Sequence, residues 1–338
     1  MKRLSFPLRI FLLALALRLA PVIALRTMGI GLDDMFQYDM LARSLALGNG
    51  YRWYAWEDLQ MLEPYVDFDL TSVEYDPVRG VPTSFRAPLY PAFLALVYLV
   101  AGTGTGRFFA ARLAQTLLGA ALAPLTWAAA RVLLPGDSAE ASRRRERAAA
   151  AAAWVVACYP LLLLYPFGLG TENLFFPLVL LSLLFLLKAA DKSLLVNFLL
   201  SGFFLGLAAL TRSIILPFAG LAVLWAWFIL KQRKGTLAAA LVFLALISPW
   251  VVRNSLLHHK LTSIETSMGY NLYLGYHPQS NGSFTFGPSL DLIPILDDAE
   301  RDRLGTEKAL EFIQDDPGRF LPLALNRLGF FFGLEKRV

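Results

Sequence analysis

Long apolar runs set the terms on which this chain can fold. An α-helix rises about 1.5 Å per residue, so about 17–25 mostly apolar residues cross the hydrocarbon of a bilayer. Seven runs are read as spans on that test: residues 6–25, 108–134, 148–164, 173–187, 194–210, 213–230 and 236–252, with 173–187 the shortest. With 57% hydrophobic and 17% charged residues among 338, and a mean hydropathy of +0.53, there is too little polar surface for a water-soluble globule of this size. A bilayer is the expected solvent. The net charge of +5 does not point to nucleic acid, because the basic residues fall in short clusters between apolar runs, where they write membrane topology. The single cysteine, Cys158, sits inside an apolar run as a packing residue and leaves no intramolecular disulfide or cysteine metal cluster to build. The first 25 residues open with Lys2 and Arg3 like a signal peptide. Ala24-Leu25-Arg26 is a poor cleavage site, however, and Arg18 interrupts the run, so this segment is read as a retained first span.

Residues 89–100 form an apolar run of only about a dozen, the length of a re-entrant or interfacial segment. Charge decides its reading. If it does not span, then Lys2/Arg3, Arg143/Arg144/Arg145/Arg147, Lys188/Lys192 and Lys231/Arg233/Lys234 all fall on one side, as the positive-inside rule requires. The expectation is an all-α polytopic membrane protein with a cytoplasmic N-terminus. Residues 1–252 make the transmembrane core, including an outer loop at 29–88 and the segment 89–101. Residues 253–320 form a second outer loop, and 321–338 an interfacial helix or the start of a further span. The loops near 135–147, 188–193 and 231–235 are cytoplasmic; the turn 165–171 and the break at Thr211/Arg212 lie opposite. Loops as long as the two outer ones are the expected functional parts. No internal repeat is present.

After the first span, residues 31–50 read as a helix closed by Gly48-Asn49-Gly50, with Tyr38, Leu41 and Leu45 on one face. That stripe suits a helix lying on the membrane surface with Asp33 and Asp34 at its start. An aspartate there caps the helix and favours its positive end. It also suits a general base, tuned by its neighbour and by partial removal from water, and the two roles can coexist. In Phe85-Arg86-Ala87-Pro88-Leu89-Tyr90-Pro91, prolines stiffen the chain before it meets the membrane. Arg86 either snorkels to headgroups or grips a phosphate entering from the bilayer. Glu172 and Arg212 stand at outer span ends. Glu172 is a natural cap, whereas Arg212, flanked by apolar spans, needs an anion. The histidines have no metal-ligand spacing, and no phosphate loop, nucleophile elbow or dinucleotide fingerprint occurs.

A sugar joined through phosphate to a long isoprenoid would suit such a set. Its phosphate departs as an anion without a proton donor, so the site needs one catalytic carboxylate and cations on the leaving oxygens. The aspartate deprotonates an acceptor hydroxyl, which attacks the anomeric carbon in line with the departing phosphate and inverts it.

The order of these motifs resembles the GT-C membrane glycosyltransferases, family 39 in particular, which includes protein O-mannosyltransferases and lipid A aminoarabinose transferases. The resemblance runs through Asp33-Asp34 with Tyr38, Ala42 and Gly48-Asn49-Gly50-Tyr51, then through the Arg86 motif, Thr171-Glu172-Asn173 and the stretch 206–212. It ends in residues 248–254 and in Gly269-Tyr270-Asn271 onward to Gly275. It implies seven core spans with two juxtamembrane helices in the first outer loop, Asp33 as base with Asp34 beside it, and Arg86 on the lipid phosphate. Arg212 is expected as a second phosphate contact, with Glu172, Tyr38, Tyr270 and Asn271 in support. The family's Asp-Glu and Pro-Pro are Asp-Asp and Ala-Pro here, which leaves the base open between the two aspartates. Family members continue into further spans and often a C-terminal domain, so a truncated or naturally short form is expected.

The implied activity is inverting transfer from a polyprenyl-phosphate-sugar donor to a hydroxyl of a protein, lipid or polysaccharide acceptor on the extracytoplasmic face, among membrane lipids. No cofactor is certain; a divalent cation at Asp33 and Asp34 is chemically compatible, without a full ligand set. The alternatives are a lipid or solute transporter, with Arg18 its lone candidate within a span, and a non-catalytic envelope scaffold.

Overall fold

The computed structural model describes residues 4–134, 136 and 138–333. Lys2 and Arg3 of the basic clusters, and residues 334–338 at the end of the last expected helix, lie outside them.

The chain begins with α1 (Phe6–Ala24), α2 (Asp34–Ala46), β1 (Arg52–Trp53), α3 (Trp56–Leu62) and β2 (Val81–Pro82). Next come α4 (Leu89–Ala101), α5 (Arg107–Leu133), α6 (Ala139–Cys158), α7 (Pro160–Leu164), α8 (Glu172–Lys192) and α9 (Leu195–Thr211). It continues through α10 (Leu216–Phe228), α11 (Arg233–Leu257), α12 (Met268–Tyr276), α13 (Phe286–Leu290), α14 (Asp298–Asp315) and α15 (Phe320–Phe331). The all-α polytopic class is borne out. Helices α1, α5, α8 and α11 are long and apolar enough to cross a membrane, and α6 with Pro160–Phe167 makes a fifth candidate bent by 50°. The other two expected spans are shorter: the 17 residues of α9 rise about 26 Å, a little under the ~30 Å of hydrocarbon.

Among the boundaries that differ from expectation, two have clear local reasons. Arg143–Arg147 stand on the first turns of α6, not in a loop, because Ser138 caps the helix at the Ala141 N–H (3.1 Å) and alanine, arginine and glutamate are all good helix formers. Helix α8 carries Lys188 and Lys192 past the expected end at 187 and stops at Ser193 in the left-handed region, φ 51°.

Arg18, which interrupts the first apolar run, is fully buried. Pro160 has no N–H to offer the Val156 carbonyl, so the α6–α7 span breaks there. The Arg18 guanidinium supplies the missing donors, to Val156 O at 3.2 Å and Ala157 O at 3.1 Å, and also bonds Ala14 O at 3.0 Å. Gly119 leaves it room, since a Cβ there would lie 3.2 Å from Nε. A Cβ on Gly202 would fall 2.2 Å from Ala239 O and one on Gly206 2.9 Å from Leu246, so α9 meets α11 at small-residue, near-backbone contact.

The chain forms two compact units, one of residues up to Asn49 with Ala87–Trp250, the other of Gly50–Arg86 with residues from Val251 onward. In the first, Tyr38 and Ala42 of α2 pack with Tyr90, Leu94 and Tyr98 of α4 and with Ala111 and Leu169. In the second, β1 and β2 pair antiparallel, and the buried Arg301 guanidinium lies over Trp53 (5.5 Å) and Phe85 (5.1 Å). Helices α12 and α14 cross at paired glycines, where a Cβ on Gly269 would meet Asp302 O at 1.9 Å. Arg319 and Asn326 donate to the carbonyls of Ser280 (2.9 Å) and Asn281 (3.0 Å), while Leu321, Leu325, Leu328 and Phe331 of α15 remain exposed.

Candidate active site

Both members of the acidic pair are exposed at the start of α2. Asp33 is its N-cap, with Oδ1 accepting from the Met35 N–H at 2.8 Å, and Asp34 opens the first turn. The capping role is therefore realised at Asp33. The partial desolvation expected for a base is a feature of neither residue. The helix closes as expected at Gly48, φ 77°.

What fixes α2 is an aspartate that sequence reasoning passed over. Asp39 is buried and accepts from Arg43 Nε (2.9 Å), Arg107 Nε and Nη2 (2.7 and 2.9 Å) and the Tyr98 hydroxyl (2.9 Å). Its spacing of four from Arg43 was the available signal. Tyr38, expected to support the site, is buried edge-to-face against Tyr90 at 5.1 Å, on the helix that carries the acidic pair.

Arg112, also unremarked in the sequence, ties the approach to the aspartates to a second turn. It is buried, and donates to Met28 O, to Gly29 O at 2.7 Å and to Phe167 O at 2.8 Å. Gln115 accepts from the Tyr90 hydroxyl and donates to Pro166 O (3.2 Å) and Gly168 O (3.0 Å). Asn173 adds bonds to Tyr165 O (3.0 Å) and Gly170 O (3.1 Å). Irregular backbone inside an apolar unit survives only with such partners.

That turn leads into Glu172, and here two expected residues meet. Arg212 forms an ion pair with Glu172, donates to Thr171 Oγ1 at 3.0 Å and lies 6.0 Å from the Phe175 ring centroid. The anion that Arg212 demanded is Glu172. Both side chains stay partly exposed, at 37% and 27%, so a phosphate reaching Arg212 would share or displace that partner.

The remaining expected residues belong to the second unit. Arg86 is half-buried with its guanidinium 5.1 Å from the Phe85 ring centroid, and its backbone carbonyl accepts from the Tyr51 hydroxyl at 2.9 Å. Tyr270 packs edge-to-face on Phe85 at 5.5 Å and donates to Ser289 O at 2.8 Å. Asn271 is exposed on α12. Burial pushes the Tyr54 phenol up to about 12, against the nearby charges of Arg301 and Arg86.

The segment carrying Arg86 is pinned by a buried polar network. Asp298 accepts from Thr83 Oγ1 (2.5 Å), the Ser84 N–H (2.7 Å) and Arg301 Nη1 (3.2 Å), and burial raises its carboxyl above the ordinary value despite these partners. His258 Nε2 lies 2.6 Å from Ser84 Oγ, which lies 2.9 Å from Thr266 Oγ1; burial holds the imidazole below its usual value. Arg253 donates to Thr83 O at 2.5 Å, and Asn254 to Ser263 O at 2.9 Å and Ile264 O at 3.0 Å. The bonds of His258 and Asp298 to Ser84 carried no sequence signal, because Ser84 lies 174 and 214 positions away from them.

Among the described residues no three His, Cys, Asp or Glu side chains gather as a metal cage. A divalent ion at Asp33 and Asp34 would rest on those two carboxyl groups and on oxygens of its ligand, a pattern magnesium tolerates.

No curated protein and no solved structure matches the chain. Residues 85–252 match the model of the dolichyl-phosphate-mannose-protein mannosyltransferase family, a region that includes Arg86, Glu172 and Arg212 and leaves Asp33, Asp34, Tyr270 and Asn271 outside it. With the apolar spans and the motif order, the match bears out the resemblance to GT-C transferases: over residues 85–252 the chain is similar to the dolichyl-phosphate-mannose-protein mannosyltransferase family, membrane glycosyltransferases that use polyprenyl-phosphate-linked sugar.

Proposed function

We propose that the chain is an inverting glycosyltransferase that moves a sugar from a polyprenyl-phosphate donor to an acceptor hydroxyl on the extracytoplasmic face. Asp33 or Asp34 is the general base and Arg86 holds the donor phosphate. One observation carries most of this reading. The acidic pair stands exposed at the end of a helix locked by Asp39, whereas Glu172 is engaged by Arg212. Such rigid presentation is what a base needs. The acceptor oxygen forms its bond to the anomeric carbon as the bond to the phosphate oxygen breaks. Its proton passes to the aspartate, and the polyprenyl phosphate leaves as an anion. Arg86 offsets the charge that gathers on that leaving group. Arg212 joins it by exchanging Glu172 for phosphate. The transporter reading rested on Arg18, whose guanidinium donates to three backbone carbonyls.

The test is sugar transfer from labelled lipid donor in proteoliposomes by Asp33→Asn, Asp34→Asn and the double variant. Loss of the base lowers turnover by about 10²–10⁴-fold with the thermal melt unchanged. Full activity in the double variant would end this reading. Arg86→Ala raises the donor KM; an unchanged donor affinity removes Arg86 from the site.

A further inference from the structure

Helices α8, α9, α10 and α11 of the first unit enclose a cavity of about 490 Å³ that the proposed chemistry does not use. Leu186, Phe198, Gly220, Ala222, Ala240 and Phe243 form much of its wall. The hydroxyls on the lining are internally satisfied. Ser182 and Ser201 donate to each other's carbonyls at 3.0 and 3.1 Å, and Thr236 donates to Gln232 O at 2.9 Å. A buried water requires two to four polar partners, and a sugar requires more. This wall provides neither, so the space suits hydrocarbon. Lining residues Leu183, Phe218, Leu224 and Leu244 are also exposed on the unit's apolar surface, so the cavity is continuous with the surface that lipid tails bathe.

Charge marks one end of it. Lys188 and Lys192 follow Leu186 in the last turns of α8, and Lys231, Arg233 and Lys234 precede Thr236 at the start of α11, with Asp191 the one acid in these stretches. By helix rise, Lys188 stands about 3 Å beyond Leu186 along the axis and Arg233 about 4.5 Å before Thr236. We propose that the cavity seats one acyl chain of an anionic membrane phospholipid, with its phosphate held by this basic rim. Basic clusters at the ends of membrane helices select anionic headgroups. A lipid bound there bridges α8 to α11 and fills a void that packing leaves open.

The experiment is native mass spectrometry of the full chain in detergent with equimolar phosphatidylglycerol, phosphatidylcholine and polyprenyl phosphate. One phosphatidylglycerol is retained, at least tenfold over phosphatidylcholine, and it raises Tm in a concentration-dependent way. Gly220→Phe fills the space from a position where an added Cβ meets nothing within 4 Å; it lowers occupancy at least tenfold, as does Ala222→Phe. Arg233→Gln with Lys234→Gln keeps a lipid bound but narrows the preference between the two headgroups. Occupancy unchanged in both filled variants, or equal retention of the two phospholipids by the native chain, overturns the proposal. So does displacement of phosphatidylglycerol by polyprenyl phosphate, which would give the cavity to the donor's own tail.

Discussion

A charge taken out of water is tolerated only where the fold supplies its partners, and then the partners become hostage to it. Asp298 and Arg301 show both sides: the carboxylate is met by Thr83, Ser84 and Arg301, while Arg301 also lies over Trp53 and Phe85. Asp298→Ala leaves the guanidinium buried without its carboxylate and lowers stability by about 3–5 kcal/mol, read by thermal melt and by proteolysis of the second unit. Asp298→Asn, which can still accept from the Ser84 N–H, loses less. His258 adds a pH dependence. Burial holds it below its ordinary 6.5, so between its folded value and 6.5 the unfolded chain binds more protons. The stability it contributes is present above pH 6.5 and falls as pH drops through that window. Asp298 has the opposite sign: raised above 3.8, it contributes most below 3.8 and that contribution is lost as pH rises through its folded value. The charged groups around the imidazole are Asp298, Asp297, Lys260 and Arg253. A melt series from pH 7.5 to 5 therefore loses more stability on acidification in the native chain than in His258→Gln; equal slopes would clear His258 of the effect.

At the scale of elements, the expected helices exist but their ends moved, and the reasons are local. Apolar length marks where a helix can lie in lipid, not where capping and propensity let it begin, so α6 starts among the arginines at Ala139. The Pro160 break is legible as a proline in an apolar run; its repair by Arg18 is not. Arg18→Met leaves the Val156 and Ala157 carbonyls without the donors they now have, at about 1–3 kcal/mol for each buried acceptor. Pro160→Ala restores an N–H to that turn and softens the loss, so the two substitutions are non-additive in a double-mutant cycle. Strict additivity would mean that Arg18 and the break are unrelated. Of the candidate site, Glu172 and Arg212 were identifiable because both stand at span ends, and they pair. Tyr38 shares the apolar stripe of α2, and that stripe faces the buried aromatics of α4.

For the whole molecule, orientation rests on the side to which the basic clusters fall, and α4 is the pivot. Its 13 residues rise about 20 Å, short of the hydrocarbon, and the proposed topology takes it as non-spanning, which places Arg143–Arg147 on the same side as the other clusters. In a Cys158→Ser background, a cysteine at Ser283 should react with an impermeant reagent on intact cells and one at Ser142 only after permeabilisation. Reversed labelling would invert the proposed topology. Membrane residence, helical class and transferase family were determined by the sequence itself, because a bilayer acts on each apolar run separately and the motifs are contiguous in the chain. The partners of Arg112 and Arg212, and the long-range partners of Arg18 and Asp39, were decided by tertiary structure alone. Arg18 meets Ala157 across 139 positions and Arg212 meets Glu172 across 40. A buried charge takes whichever acceptor the folded backbone brings within hydrogen-bond reach, and nothing along the chain records that distance.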